Sequence, residues 1–333
     1  MTKRKDGLWQ EVLKINGKIK YFYGKTKQEV LRKVREYQEK QATGKLFSEV
    51  ANEWWTDHQE NLAWNTAKSY LPAKKRAVEQ FGDKPIKDIT PSEISRYIKG
   101  FSKTHADKTV RTQLLIFNLI FKYAVDMGDT TYNTARDLEV PQGLSKNKIT
   151  SPSQEDIEKV KQSYDCTFGA FAYWALYTGL RRGELLALNW EDVDIKNRTI
   201  TVNKSVYHIN NKPHIKKPKT ETSIGTVPIL DALLKKITHK KKGLIFPNTK
   251  GEYISNTQFK RLWSLYQRDT GINATPHQFR HAYATMLFEA GIPPEEMQIL
   301  LRHAQLSTTM DIYTDIRDQK QKEVHRKVYS VDI

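Results

Sequence analysis

The chain has 333 residues, with 55 Lys plus Arg against 38 Asp plus Glu and a formal net charge of +17. A single cysteine, Cys166, excludes an intramolecular disulfide and a cysteine-clustered zinc site, while 12 Phe, 16 Tyr and 7 Trp argue against wholesale disorder. The N-terminal MTKRKDGLWQ lacks the apolar run of a signal peptide, and the longest apolar stretch, near 168–176, is far too short to span a bilayer. The length suits two or three domains. A cytoplasmic, DNA-associated protein without a membrane partner is expected, because nucleic acid is the leading polyanionic partner for so basic a chain; a generally basic solubilising surface is the alternative.

Residues 1–43 form the first expected domain. The first 40 residues hold 12 Lys/Arg and 5 Asp/Glu. Residues 8–13 alternate, Asn16-Gly17 signals a turn, and residues 19–23 are aromatic and branched, which predicts a β-hairpin. A third short strand is expected near Gly7–Leu8. A helix is predicted over about 26–38, with Thr26 as N-cap and Glu29 completing a capping box. Such a module could set a strand face in a DNA groove.

Residues 44–135 read as almost wholly helical, with helices over 46–59, 65–80, 91–98 and 108–127. Phe47, Val50, Ala51, Trp54 and Trp55 share one stripe and are expected in a core. Pro72 should kink the second helix. Lys108, Arg111 and Lys122 lie on the polar face of the last one and are candidate phosphate contacts. Residues 136–150 are the expected linker, since PQGLSKNKIT offers little to bury. A hinge there would place two basic domains on either side of a duplex.

Residues 151–333 make the largest domain. Helices are expected over 151–162, 168–177, 183–188, 231–237, 255–268, 276–289, 294–301 and 310–314, with strands at 199–207, 214–217 and 224–228 in one small sheet. Turns are predicted at Asn210-Asn211 and over 219–223. The fold class is therefore multidomain and mainly α: a small N-terminal sheet plus helix, a helical domain, and a mixed, mainly-α domain with a small sheet.

Four signals in the last domain bear on chemistry. In TGLRRGEL an apolar helix ends at Gly179, Arg181 follows, and Glu184 stands where it could hold the guanidinium. His277 and Arg280 share one face at i, i+3 spacing. His303 precedes Tyr313 by ten residues, and Lys219 sits at a predicted strand-to-strand tip. Taken singly, each has a plain structural role as an ion-pair partner, helix-end histidine or half-buried tyrosine. Together, two arginines, two histidines, a lysine and a tyrosine are the parts needed to cut a phosphodiester without a metal or other cofactor.

These motifs resemble those of the tyrosine recombinases of the phage integrase family. TGLRRGEL is similar to the first arginine box, HQFRHAYATMLFEAG to the His-x-x-Arg box, LLRHAQLSTTMDIYTDI to the nucleophile segment, and PKTETSIGTVPI to the lysine hairpin. Residues 44–135 resemble the core-site-binding domain. Residues 1–43 resemble the arm-type DNA-binding domain of integrases from temperate phages and conjugative transposons. Two positions depart from the pattern: Arg302 stands where glycine is usual, and Gly225 where arginine is common.

The resemblance implies roles. Tyr313 would be the nucleophile, forming a 3′-phosphotyrosyl link; a free phenol ionises only near a pH of about 10, so it needs help. Arg181, Arg280 and His303 would hold the non-bridging oxygens, Lys219 would protonate the leaving 5′-oxygen, and Glu184 would orient the arginines. His277 would either accept the phenolic proton or bridge to the phosphate. No metal is implied. The partners implied are double-stranded core and arm sites, a homotetramer on DNA, an excisionase and a host DNA-bending protein. In the tail, Val324, Val328, Tyr329, Val331 and Ile333 are spaced as a docking segment, on a neighbouring subunit as the resemblance implies or else in cis. The implied function is integration and excision of a mobile element. The alternatives are a type IB-like topoisomerase, a chromosome-resolving recombinase, and an inactive DNA-binding regulator.

Overall fold

The computed structural model describes residues 1–15, 18–145, 151–216, 224–237, 242–303, 305–307, 309–310, 313–314 and 316–317. The chain divides into two compact units, Met1–Asn147 and Lys148–Ile333. Among the described residues no helix is long and apolar enough to cross a membrane.

The first unit opens with an antiparallel sheet of β1 (Thr2–Lys3), β2 (Trp9–Ile15) and β3 (Lys18–Gly24) in that order. The third strand is therefore Thr2–Lys3, paired with Trp9 and Gln10, and not the expected Gly7–Leu8. Gly7 instead sits in the turn at φ +85, and the Arg4 N–H donates to the Leu8 carbonyl across it at 2.8 Å. The expected Asn16-Gly17 turn lies outside the described residues. Alternation puts Trp9, Leu13 and Phe22 on one face, where they meet Val30 and Val34 of α1 (Lys27–Thr43). The Glu29 N–H donates to Thr26 Oγ1 at 3.1 Å, as the capping box requires. Its carboxylate accepts from the Lys25 N–H, one residue before the expected partner.

Helices α2 (Phe47–His58), α3 (Trp64–Phe81), α4 (Pro91–Ser102) and α5 (Asp107–Asp126) follow. Phe47, Trp54, Phe81, Phe117 and Phe121 fill one core among them, and Phe47 and Trp54 are there as the first apolar stripe placed them. Thr90 caps α4 reciprocally with Glu93, and Pro91 takes the first helical position. Helix α3 runs unbroken through Pro72. Leu138, Val140 and Leu144 pack against this core, so the described part of 136–150 is tied down more than its composition suggests. Residues 146–150 lie outside the described residues.

The second unit contains α6 (Gln154–Gln162), α7 (Gly169–Thr178), α8 (Arg182–Ala187), β4 (Val193–Asp194), β5 (Thr199–Val202), β6 (Ser205–Ile209), β7 (Lys212–Lys216) and β8 (Gly225–Pro228). It continues with α9 (Asp231–Leu234), α10 (Asn256–Thr270), α11 (Pro276–Glu289) and α12 (Pro294–Leu301). Apolar on every side, α7 is buried on every side, and it packs against α11 at the centre of the unit. The single strand expected over 199–207 is two strands in two sheets: β4-β5-β8, and a β6-β7 hairpin. The chain leaves strand geometry at 203–204, where Lys204 is held by Asp192 at 3.1 Å. Asn210 and Asn211 close the hairpin with φ of 45 and 71, a two-residue turn that asparagine tolerates.

Burial of α7 sets the stability of this unit. Trp174, 1% exposed, touches Trp190 and Phe246 edge-on. Trp174→Ala is expected to lower the unfolding free energy by about 3–5 kcal/mol in urea titration.

Candidate active site

Two glycines shape the corner that carries Arg181. Gly179 ends α7 at φ +61, and a Cβ there would lie 2.4 Å from the Tyr283 ring. At Gly183 a Cβ would lie 2.5 Å from the Val206 carbonyl oxygen on β6. Between them Arg181 caps α8 in extended backbone. Its N–H donates to Glu184 Oε2 and its Nη1 to Oε1, both at 2.9 Å. Its Nη2 donates to the Arg302 carbonyl at 3.2 Å. The Arg181 side chain remains 39% exposed, so part of it is open to a ligand.

Glu184 is buried and carries a second arginine: Arg302 Nη2 donates to its Oε2 at 2.7 Å. Burial alone would push its pKa up, but Arg302 and Arg181 outweigh that and hold it below the usual carboxylate value. Arg280 on α11 is 3% exposed and donates to the carbonyls of Gly179, at 2.5 Å, and of Leu301. Burial first, then the Arg181 charge, pushes its pKa down to about 9, and it stays charged at neutral pH. Arg280 thereby joins the end of α7 to the end of α12.

Arg302 ends α12 at φ +53, a conformation that costs a non-glycine residue roughly 1–2 kcal/mol. The turn delivers His303, whose N–H donates to the Gln298 carbonyl and whose Nδ1 lies 2.9 Å from Thr309 Oγ1. Burial, then Arg280 and Arg181, pushes the His303 pKa down to about 3, so the ring is neutral at physiological pH. His277 stands exposed at the start of α11, edge-on to His281 at 5.9 Å. Partial desolvation, with Arg280 and Arg181, lowers its pKa.

Tyr313 is half-buried in helical backbone, its ring 4.7 Å from Phe288. It packs on the small cluster of Tyr283, Leu287, Met297 and Leu301, at the ends of the same helices. Lys219, the 219–223 turn and the tail from residue 318 lie outside the described residues, as do parts of the helix expected over 310–314. Among the described residues no group of three His, Cys, Asp or Glu side chains could hold a metal ion.

In the first unit, Lys108, Arg111 and Lys122 are exposed on α5. Their spacing places them within an arc of about 60°. Arg111 donates from Nε to both carboxylate oxygens of Asp107, which raises its pKa. Lys108 lines a concavity of about 470 Å3 with Ser69, Arg76, Asp107 and Thr112.

The structure therefore joins Arg181, Glu184, Arg280 and His303 in one network. It adds Arg302, which the sequence marked only as a departure, and Thr309, which it did not mark. The signal for Arg302 was an arginine set directly before His303 at a helix end that favours glycine.

His303 gives the site a pH signature. Its folded pKa of about 3 lies below the ordinary 6.5, so the unfolded chain takes up a proton across that window. Stability is complete above 6.5 and falls as pH drops toward 3; loss of ionised Glu184 adds to this below 4.5. Denaturant unfolding from pH 7 to 4 should show that decline, with a shallower slope for His303→Gln. An unchanged slope would contradict a buried neutral imidazole.

Comparison with known proteins fits this geometry. The phage integrase family matches residues 149–320, and the phage integrase central domain matches residues 47–140. A XerC-like tyrosine recombinase of Caldanaerobacter subterraneus subsp. tengcongensis is 29% identical, over 90% of this chain and 89% of its own length. The ICEBs1 integrase of Bacillus subtilis is 28% identical, over 76% of this chain and 74% of its own. The fold is shared with the Tn1549 transposon integrase in complex with transposon right-end DNA (TM-score 0.67, 19% identity, 84% of this chain and 100% of that one). It is shared also with the lambda integrase tetramer bound to a Holliday junction (TM-score 0.63, 16% identity, 95% of each chain). With more than half of its length matched, the chain belongs to the phage integrase family and is a tyrosine site-specific recombinase.

Proposed function

We propose that this recombinase integrates and excises a mobile element, with Tyr313 as nucleophile. The observation that carries the reading is the Arg181–Glu184–Arg302 ion-pair network, with the buried Arg280 and a neutral His303 beside it. Such an array gathers positive charge where a phosphate can reach it, and it is organised before the substrate arrives. The phenolic oxygen of Tyr313 attacks the scissile phosphorus, and the 5′-oxygen leaves with a proton from Lys219. Arg181 and Arg280 neutralise the non-bridging oxygens. His303 donates from Nε2 when its Nδ1 accepts the Thr309 hydroxyl, which fixes the tautomer. His277, at the rim, takes the phenolic proton or bridges to the phosphate. Attack of a 5′-hydroxyl from a second duplex on the phosphotyrosyl link reforms the backbone and frees the tyrosine.

The division of labour follows the modules. Residues 151–333 cut and rejoin, and residues 44–135 grip the core site through Lys108, Arg111 and Lys122. Residues 136–150 join them. Residues 1–43 bind distal arm sites with the sheet face opposite α1. That face presents Val12, Ile19, Tyr21 and Tyr23, all exposed, with Lys14 beside them and the Arg4 guanidinium 5.0 Å from the Tyr23 ring. The two sets of sites are engaged together only when the DNA between them bends, so a host bending protein and an excisionase bias the direction. Exchange between two duplexes requires four copies on DNA, in the cytoplasm.

The decisive test uses a nicked duplex whose core site is selected from a randomised pool by binding to Tyr313→Phe protein. In EDTA, the unaltered protein should form a protease-sensitive covalent adduct that Tyr313→Phe does not. Arg181→Ala should slow adduct formation by about 10²–10³-fold with binding retained. Binding without any adduct in the unaltered protein would leave only the regulator reading. A Tyr21→Ala, Tyr23→Ala double variant should lose affinity for distal sites while its core-site affinity is unchanged in a mobility-shift titration. Affinity for both kinds of site should fall steeply with salt, as phosphate neutralisation demands.

A further inference from the structure

We infer that Arg302 is a third arginine of this active site, a positioning residue that holds Glu184 in the orientation that aims Arg181. The inference rests on the proposed cleavage chemistry. Arg302 meets Arg181 by two routes: its carbonyl accepts from Arg181 Nη2 at 3.2 Å, and its Nη2 bonds the carboxylate that holds Arg181 Nη1. Glu184 is thus gripped from both sides. With one grip removed, its carboxylate could rotate and take the Arg181 guanidinium with it.

The position is a demanding one for such a residue. The backbone there, at φ +53, suits glycine, and the side chain is buried. Neither feature helps the fold, and such strain persists where the surroundings enforce it. Two further donors, Nε and Nη1, are buried with no partner among the described residues. Arg181, Arg280 and Arg302 face the single carboxylate of Glu184, so the cluster keeps two net positive charges beside a neutral His303. A phosphodiester carries one negative charge and gathers more in the pentavalent transition state. The surplus from Arg302 therefore favours the transition state over the bound ground state.

Space for this side chain comes from β8. A Cβ at Gly225 would lie 3.7 Å from Arg302 Cδ, so the two departures from the family pattern are neighbours in space. A concavity of about 590 Å3 opens beside Gly225, Arg302 and His303. An arginine launched from position 225 would enter the volume that Arg302 now fills. The guanidinium has in effect been supplied from the end of α12 instead of from the strand.

The test compares full-length Arg302→Gly, Arg302→Lys and the double variant Arg302→Gly, Gly225→Arg with unaltered protein and Tyr313→Phe on the selected nicked duplex. Single-turnover adduct formation and equilibrium binding are both measured, and thermal unfolding confirms that each variant is folded. Arg302→Gly should cleave about 10- to 100-fold more slowly, as a misaimed catalytic group does, with affinity within about twofold. Arg302→Lys should fall between, because it keeps the charge without the fork. The double variant should regain most of the lost rate. Full-speed cleavage by Arg302→Gly, or a double variant no faster than the single one, would overturn the positioning role while leaving the proposed function intact. Absence of adduct from unaltered protein that binds the duplex would overturn both.

Discussion

The second unit turns on one buried carboxylate. Glu184 sits among three guanidinia and is bonded to two of them, Arg181 and Arg302. A carboxylate out of water is costly unless its oxygens are paired, and a buried arginine is costly for the same reason. The three groups are therefore interdependent. Removal of the carboxylate would leave Arg302 buried without the one side-chain partner it has among the described residues. The local fold serves this arrangement: two glycines make the α7–α8 corner tight enough to bring Arg181 and Glu184 within one turn of each other.

Arg280 does mechanical work as well as electrostatic work. Its donors end on the carbonyls of Gly179 and Leu301, two unsatisfied helix ends far apart in sequence. The same guanidinium that is proposed to face the phosphate thus fixes the distance between the first and last boxes. Tyr313 belongs to this arrangement through apolar contacts, since its ring packs on Phe288 and on the cluster that includes Leu301. Among the described residues the Tyr313 ring is held by packing, and such a contact can shift without breaking an ion pair. The arginines cannot, which suits the rigid phosphate cradle and movable nucleophile of the proposed function.

The first unit follows a different logic. Most of its apolar aromatics are consumed in two cores, one among four helices and one under α1. Among the groups left exposed are three cationic residues on α5 and an aromatic-bearing sheet face. Charge of this kind gives affinity for any phosphate backbone, and selectivity must come from which groups reach base edges and how the DNA deforms.

Much of this was legible in the chain itself. Strong apolar periodicity located nearly every helix, because a helix that buries one face must repeat its large side chains every three or four residues. The motifs around Arg181, Glu184, Arg280 and His303 marked residues that the fold gathers into one cluster. Pairing decided by long-range geometry was not legible. The short first strand is Thr2–Lys3 because the turn around Gly7 returns the chain there, and residues 199–209 divide between two sheets because each half finds a different neighbour. Arg302 is the sharpest case. In sequence it is an arginine in a glycine's place, 118 residues from Glu184. Only the packing of α12 against β8 and α11 turns it into a buried partner of that carboxylate on α8, because burial and proximity are properties of the assembled unit.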